Sequence, residues 1–406
     1  MRRRRGSRPL HERLPEPGRR RFLRLTAGLP IGLTGWLGQG CSAGGGATPG
    51  PTAGTGTTLA ARTADDTAIP VPKVNGGVNV HPLRRLDSDP AEQDPVIVPD
   101  LVALQVRTVY ELGFDGLRIT APFGDRGSFL AAIPYVRAAR ALGIDAVIVL
   151  ADFAGFVLAQ ALHDDDRRGE VLGLYATVFA PPPQPVRPGM GGLGPKGVGR
   201  VAFQVLNEPT HFLGVPPDVY VHEFLAPCFT SLKASNPEVI VVSAAEVGNL
   251  DGPARVRAML EAGLESVADR IAYHIYSHTA IPLLTANVKQ LVWVTESGAS
   301  GTANHLPWVR DTFPEIKKQI GDVTRIFYYD LYDPEPGVYR LLDIRAEAGG
   351  YKAVVESADL YAFFADNVAA EAAGRPLLGF DTLVPDIHAY FPTEDDLRAY
   401  DEAGQA

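Results

Sequence analysis

Cysteine is scarce: the 406 residues contain two, Cys41 and Cys228. That excludes a disulfide scaffold and a thiolate zinc cluster, each of which needs more sulfur than this. No Gly-x-Ser-x-Gly elbow occurs, so nothing points to a serine hydrolase of that design. No pair of histidines has metal-ligand spacing on one helix. Positive charge is short beyond the N-terminus. The net charge is -9, yet residues 1–24 hold ten Arg against two acidic residues, and residues 25–40 hold no charge. From Cys41 onward there are 28 basic and 45 acidic side chains, net -17. Such a body lacks the clustered Lys and Arg that neutralise phosphates, which excludes nucleic acid as a partner. After residue 40 no uncharged apolar run approaches the roughly 20 residues that span a bilayer. What is present is a globular composition: 46% hydrophobic and 21% charged, enough for a sizeable core. The length allows two or three domains of about 150 residues, or one larger barrel.

The first forty residues read as an address. Arg19-Arg20-Arg21-Phe22-Leu23-Arg24 precedes a short, moderately apolar stretch from Leu25 to Leu37. A basic segment before such a stretch is the form of an export signal. The Arg-Arg-x-Phe-Leu-Arg string resembles the twin-arginine signal, with Arg24 where the usual form has Lys. Leu37-Gly38-Gln39-Gly40-Cys41-Ser42 resembles a bacterial lipoprotein box, with Gly38 in place of the usual Leu. Two outcomes stay open: lipidation of Cys41, which would anchor the chain at a membrane, or ordinary cleavage nearby, for example after Ala43. Residues 42–70 are rich in Gly, Ala, Thr and Pro and form a flexible tether in this reading.

From residue 71 to 375, short β-rich runs alternate with longer helical patterns. The runs lie at 77–80, 116–120, 145–150, 201–206, 239–243, 270–274, 291–295 and 325–329. Several are continuous Val, Ile and Leu, as in strands buried on both faces. Segments such as 101–112 and 129–142 have apolar residues at helical spacing. Eight strand–helix units predict an α/β fold, a (β/α)8 TIM barrel forming a single catalytic domain. An open doubly wound sheet is the alternative; it usually shows a Gly-rich turn after its first strand, whereas here the first strand runs into Asn79-Val80-His81-Pro82. Gly192-Leu193-Gly194-Pro195-Lys196-Gly197 matches G-x-G-x-x-G literally, but it precedes a strand and contains Pro, so it is read as loop. Residues 376–406 are too few for a second domain and are expected to pack on the barrel or trail as an acidic tail.

Barrel enzymes place their chemistry at the C-terminal ends of strands. Strand four ends Asn207-Glu208-Pro209, and strand seven ends Thr295-Glu296-Ser297-Gly298. Hydrolysis of a glycosidic bond requires two carboxyls of this kind, one protonated to give its proton to the leaving oxygen and one ionised to attack or stabilise the anomeric carbon. These motifs resemble the clan of retaining glycoside hydrolases with (β/α)8 barrels, especially families 5 and 39, over most of residues 75–370. The resemblance implies that Glu208 is the acid/base and Glu296 the nucleophile. It also implies that Arg118, in Leu117-Arg118-Ile119, lies beneath the nucleophile, and that Tyr276, in His274-Ile275-Tyr276, donates a hydrogen bond to it while His274 borders the site. Asn207 would bond the sugar 2-hydroxyl. Family members carry Trp near the end of strand eight as a sugar platform; here Phe327 or Tyr328 would take that place. His81, Asp152, Phe153, Glu246 and Asn249 are candidate subsite residues by position at strand ends. Cys228 is expected to be a buried thiol without a chemical role.

The sequence therefore predicts an exported retaining β-glycosidase acting on a carbohydrate, with no cofactor and no metal. Two other functions fit the same residues: a transglycosylase, and a barrel that binds polysaccharide without cleaving it.

Overall fold

A computed structural model describes residues 68–82, 97–122, 124–150, 161–180, 198–247, 251–284, 288–332, 338–347 and 350–405. The signal and Cys41, the tether before residue 68, the Gly192–Gly197 loop, and the candidates Asp152, Phe153 and Asn249 lie outside the described residues.

Eight parallel strands close into a barrel in chain order: β1 (Gly77–Asn79), β2 (Gly116–Thr120), β3 (Asp145–Val149), β4 (Val201–Gln204), β5 (Ile240–Val242), β6 (Arg270–Ile275), β7 (Leu291–Ser297) and β8 (Val323–Tyr328). β1 pairs with β8 through Gly77 and Phe327, which closes the ring. The fold is the (β/α)8 barrel expected from the sequence, and each strand end lies within two residues of its predicted position. An antiparallel hairpin follows, β9 (Leu342–Glu347) with β10 (Gly350–Val355), which the sequence did not suggest.

Local chemistry sets the helix boundaries. Helix Pro99–Glu111 opens on Pro, whose missing N–H is an orphan at that position anyway. It ends at Gly113, where φ is +67°. There Gly113 N–H bonds the Tyr110 carbonyl and Phe114 N–H bonds the Val109 carbonyl, the paired 5→2 and 6→1 contacts of a Schellman ending. Helix Arg126–Ala141 starts on an Asp125 carboxylate that accepts from Ser128 N–H at 2.9 Å. It ends at Leu142-Gly143-Ile144 with the same two contacts, Gly143 to Arg140 and Ile144 to Ala139. Both endings feed an aspartate into the start of a strand, Asp115 before β2 and Asp145 in β3.

The barrel interior is filled, not hollow. Val147, Ala202, Ile240, Val242, Ala245, Ala272, Trp293 and Phe327 form one buried cluster. The Phe327 ring crosses toward β1 and β2, which carry glycine where it arrives. A Cβ on Gly77 would lie 2.2 Å from Phe327 Cδ1, so this layer packs only because Gly77 has none.

The C-terminal segment packs on the outer helices. Asp396 takes two bonds from Arg137, at 2.7 and 2.9 Å, and the Tyr400 ring lies 4.8 Å from Phe129. Leu377 forms a parallel bridge with Ile69. Among the described residues no helix is long and apolar enough to cross a membrane.

Candidate active site

Two devices at strand ends bring the glutamates together. The first is a left-handed backbone after β4. Leu206 has φ of 63° and Glu208 of 43°. For non-glycine residues this costs roughly 1–3 kcal/mol each and persists only where surroundings enforce it, as they do at functional sites. Glu208 N–H bonds the Ala245 carbonyl at 3.0 Å. The second device is a register shift between β6 and β7. Tyr273 pairs with Val294, but the next residue, His274, pairs with Glu296. The extra residue on β7 re-aims the strand end, a common use of bulges beside active sites.

Glu296 thereby reaches across the axis. Its Oε1 accepts from Arg118 Nη1 at 2.7 Å and its Oε2 from the Tyr276 hydroxyl at 2.7 Å. His274 stands between the carboxylates, with Nδ1 2.6 Å from Glu208 Oε1 and Nε2 3.5 Å from Glu296 Oε1. One atom each of Glu208, His274 and Glu296 falls within a 4.8 Å span. Both glutamates are buried apart from a small opening, 7% and 8% exposed.

Arg118 is held from four sides. Besides Glu296, Nη1 bonds Asn79 Oδ1 at 2.7 Å, Nε bonds Gln204 Oε1 at 3.0 Å, and Nη2 bonds Asn207 Oδ1 at 2.8 Å. Asn207 Oδ1 also accepts from Gln204 Nε2 at 3.2 Å. With its carbonyl so engaged, the amide nitrogen of Asn207 is its group for a ligand.

Burial by itself would push the Glu296 carboxyl up. The His274 and Arg118 charges and the bonds from Tyr276 and Arg118 outweigh it and hold the carboxyl below the usual value. Burial, then the Glu296 charge, pushes Tyr276 well above an ordinary tyrosine, so it remains a donor. The three clustered ligand groups do not suit a metal ion. Glu296 spends both oxygens on Arg118 and Tyr276, and a cation there would face a guanidinium.

Six of the candidates thus converge: Glu208, Glu296, Asn207, Arg118, His274 and Tyr276. His81 lies at the same mouth, one step removed. Its Nε2 is 3.1 Å from Asp330 Oδ2, and its ring is 5.9 Å from Tyr329. Tyr328 requires a correction as a sugar platform. It is fully buried, donates to the Tyr339 carbonyl at 2.7 Å, and packs toward Phe364 on helix Ala358–Ala372. Phe327 fills the barrel. Alternation along β8 sends these two rings inward and outward; the next residue, Tyr329, opens onto the site. Tyr329, Tyr339 and Tyr276, all partly exposed, have mutual centroid distances of 5.6 to 6.0 Å. Glu246 is also not a subsite residue: its side chain is entirely buried. Cys228 is a buried free thiol, pushed up to about 12 by burial.

Sequence reasoning missed Asn79, Gln204, Tyr329 and Tyr339. The first two had a signal, a polar side chain closing an otherwise apolar strand, which demands a buried partner. Tyr339 had none, since it arrives from the connection after β8.

The fold and the site define a (β/α)8 barrel with a buried carboxylate pair at its C-terminal mouth. No family model matches the chain, and no curated protein matches it. Solved structures with a similar fold include the catalytic domain of GH30 xylanase C from Talaromyces cellulolyticus, at TM-score 0.45 and 14% identity over 74% of this chain and 77% of that one. An endo-1,4-β-mannanase from Rhizomucor miehei gives 0.47 and 14%, covering 77% and 97%. A family 51 α-L-arabinofuranosidase from Bifidobacterium longum gives 0.45 and 12%, covering 75% and 74%. Likeness at this level carries nothing about reaction or substrate.

Proposed function

We propose that this protein is a retaining β-glycosidase that resembles families 5 and 39 in its strand-end motifs. One observation carries the reading: Glu296 is held ionised beneath the site by Arg118 and Tyr276, with one carboxyl oxygen of Glu208 inside the same 4.8 Å span. Retaining enzymes hold their carboxyls about 5 to 5.5 Å apart, whereas inverting ones leave ~6.5 Å or more for a water. Glu208 gives its proton to the leaving oxygen while Glu296 attacks the anomeric carbon, breaking the glycosidic bond and forming a glycosyl ester. Glu208, now ionised, takes a proton from water as that water attacks the same carbon and releases Glu296. Two inversions give net retention. Asn207 donates to the sugar 2-hydroxyl, and the Tyr329–Tyr339–Tyr276 cluster offers ring faces for the apolar side of the sugar. A pure binding barrel has no use for a carboxylate held on strained backbone against a second one. Against a transglycosylase, the test is product analysis: free sugar supports hydrolysis, and products longer than the substrate support transfer.

The roles separate by leaving group. Glu208→Ala should cripple cleavage of natural glycosides by about 10²- to 10⁴-fold, yet largely spare the first step on an aryl β-glycoside with an acidic phenol. Added azide should then restore turnover as the β-glycosyl azide. Glu296→Ala should fail on every substrate. A spared Glu296→Ala would reverse the roles, and equal, mild losses in both would remove the catalytic reading.

We also infer, from residues 1–41 alone, export through the twin-arginine route, followed either by lipid attachment at Cys41 or by cleavage nearby and release. Replacing Arg19, Arg20 and Arg21 by Lys should retain the protein in the cytoplasm; unchanged export would refute the route. Cys41→Ser should release it from membranes, and unchanged partitioning would refute anchoring.

A further inference from the structure

Glu246 follows β5 and is 1% exposed. The reaction proposed above does not use it, and it does not reach the mouth of the barrel. Its Oε1 accepts from the Thr210 backbone N–H at 3.0 Å. Thr210 lies two residues past Glu208, in the short turn Pro209–Phe212. The residue before Glu246 makes the companion contact, the Ala245 carbonyl accepting from Glu208 N–H at 3.0 Å. Segment 245–246 therefore grips the Glu208 turn at two points, immediately before and after Pro209. A third clamp lies next to it: the Tyr220 hydroxyl donates to the Val205 carbonyl and accepts from Ala244 N–H. These contacts surround the two left-handed residues Leu206 and Glu208. Left-handed backbone at Leu and Glu relaxes unless it is tied on both sides.

We propose that Glu246 is a positioning residue for the acid/base: its carboxylate fixes the Thr210 N–H and so holds the Glu208 carboxyl at the leaving-group oxygen. The proposal rests on the assignment of Glu208 as acid/base. The groups facing Glu246 fix its carboxyl in place. Arg255 Nη1, from helix Asp251–Glu261, lies 3.6 Å from Oε2. Tyr220 and Glu208 face it from the other sides, and burial followed by the Glu208 charge pushes its carboxyl up against the bonds from Thr210 and the Arg255 charge.

A structural residue and a positioning residue differ in which substrates suffer. Glu246→Ala frees the Thr210 N–H and lets the turn relax. Misplacing a catalytic group by about 1 Å costs on the order of a hundredfold. The loss should fall on glycosides with poor leaving groups, while aryl glycosides of acidic phenols keep their first-step rate to within about twofold, since they need no acid. Glu246→Gln keeps an acceptor for Thr210 and should restore most of the poor-leaving-group activity. If Glu246→Ala does not fold, Glu246→Asp withdraws the carboxylate by one methylene and should show the same selectivity. Equal losses on both substrate classes, or none on either, would overturn the proposal. Glu208→Ala measured alongside separates the two failures. If it shows the leaving-group dependence and the Glu246 variants do not, only the positioning role falls; if it lacks that dependence, the acid/base assignment falls first.

Discussion

Arg118 shows how much a single buried cation organises here. Its guanidinium touches β1, β4, the turn after β4 and the end of β7, so the mutual placement of Asn79, Gln204, Asn207 and Glu296 is one network. Arg suits this because its donors form a rigid, always-charged fork. Tyr276 adds a neutral donor to the same carboxylate, and its removal gives a clean test. In the proposed mechanism Glu296 must be ionised to attack, and its carboxyl is held below the usual value. Activity should therefore persist to lower pH than an ordinary Glu allows. Tyr276→Phe keeps the ring but deletes a bond to a charged group, worth about 1.5–3 kcal/mol. Each pH unit corresponds to about 1.36 kcal/mol, so the acid limb of kcat/KM should move up by roughly one to two units. An unmoved limb, or one displaced downward, would contradict the assignment of Glu296. At this scale the sequence showed the right residue types at strand ends but not the direction of each side chain. Tyr328 and Tyr329 are adjacent and chemically identical, and only the pleat decides which one meets the site.

Among elements, the barrel strands were legible because both their faces are buried. That leaves apolar runs, as in residues 146–149 of β3 and 201–203 of β4, both fully buried. The β9–β10 hairpin was not legible because it is half exposed and carries Asp343, Arg345, Glu347 and Lys352, so it reads as loop. The shift that re-aims Glu296 and the left-handed turn at Leu206 and Glu208 leave no sequence signature either, since neither Leu nor Glu favours that backbone. The C-terminal segment was open between packing and trailing, and a single aspartate explains its docking. Asp396 accepts two bonds from Arg137, one from Thr393 N–H at 2.7 Å and one from the Thr393 hydroxyl at 2.8 Å. Burial alone would raise its carboxyl, but the bonds from Arg137 and Thr393 hold it below the usual value. Its contribution is thus present above the ordinary Asp range and lost as pH falls through the depressed value. Asp396→Asn should destabilise the protein at pH 7 by about 1.5–3 kcal/mol. Thermal melts should show the gap between variant and parent closing as pH falls below the ordinary Asp range. A constant gap across pH would mean that shape, not charge, docks the C-terminal segment.

Taken as a molecule, the barrel separates stability from chemistry along its axis. The mouth holds the carboxylate pair; the opposite end holds a second ionic network. Arg325, in β8, reaches Asp115 at 2.9 Å and Asp145 at 3.1 Å, and its guanidinium lies 5.0 Å over the Trp293 ring. Trp293 and Phe327 belong to the apolar layer that fills the interior, whereas Arg118 and Glu296 belong to the site at the mouth. From that layering we expect function to survive damage to the closed end. Burial would raise Asp145, but Arg325 and then Arg200 hold it below the usual value, so Asp145 contributes stability above the ordinary Asp range and loses it as pH falls through the depressed value. Arg325→Met removes the cation from Asp115 and leaves Asp145 with Arg200 as its cationic partner. Breaking a buried pair from one side costs about 3–5 kcal/mol. Stability should fall by that order at neutral pH, and the acid-side decline should begin at higher pH than in the parent, because Asp145 has lost the larger of the two charges that keep it ionised. Below the melting transition, kcat and the acid limb set by Glu296 should match the parent. A fall in kcat at temperatures where Arg325→Met remains folded would show that the closed end of the barrel bears on the geometry of the Glu208–Glu296 pair, and the separation along the axis would not hold.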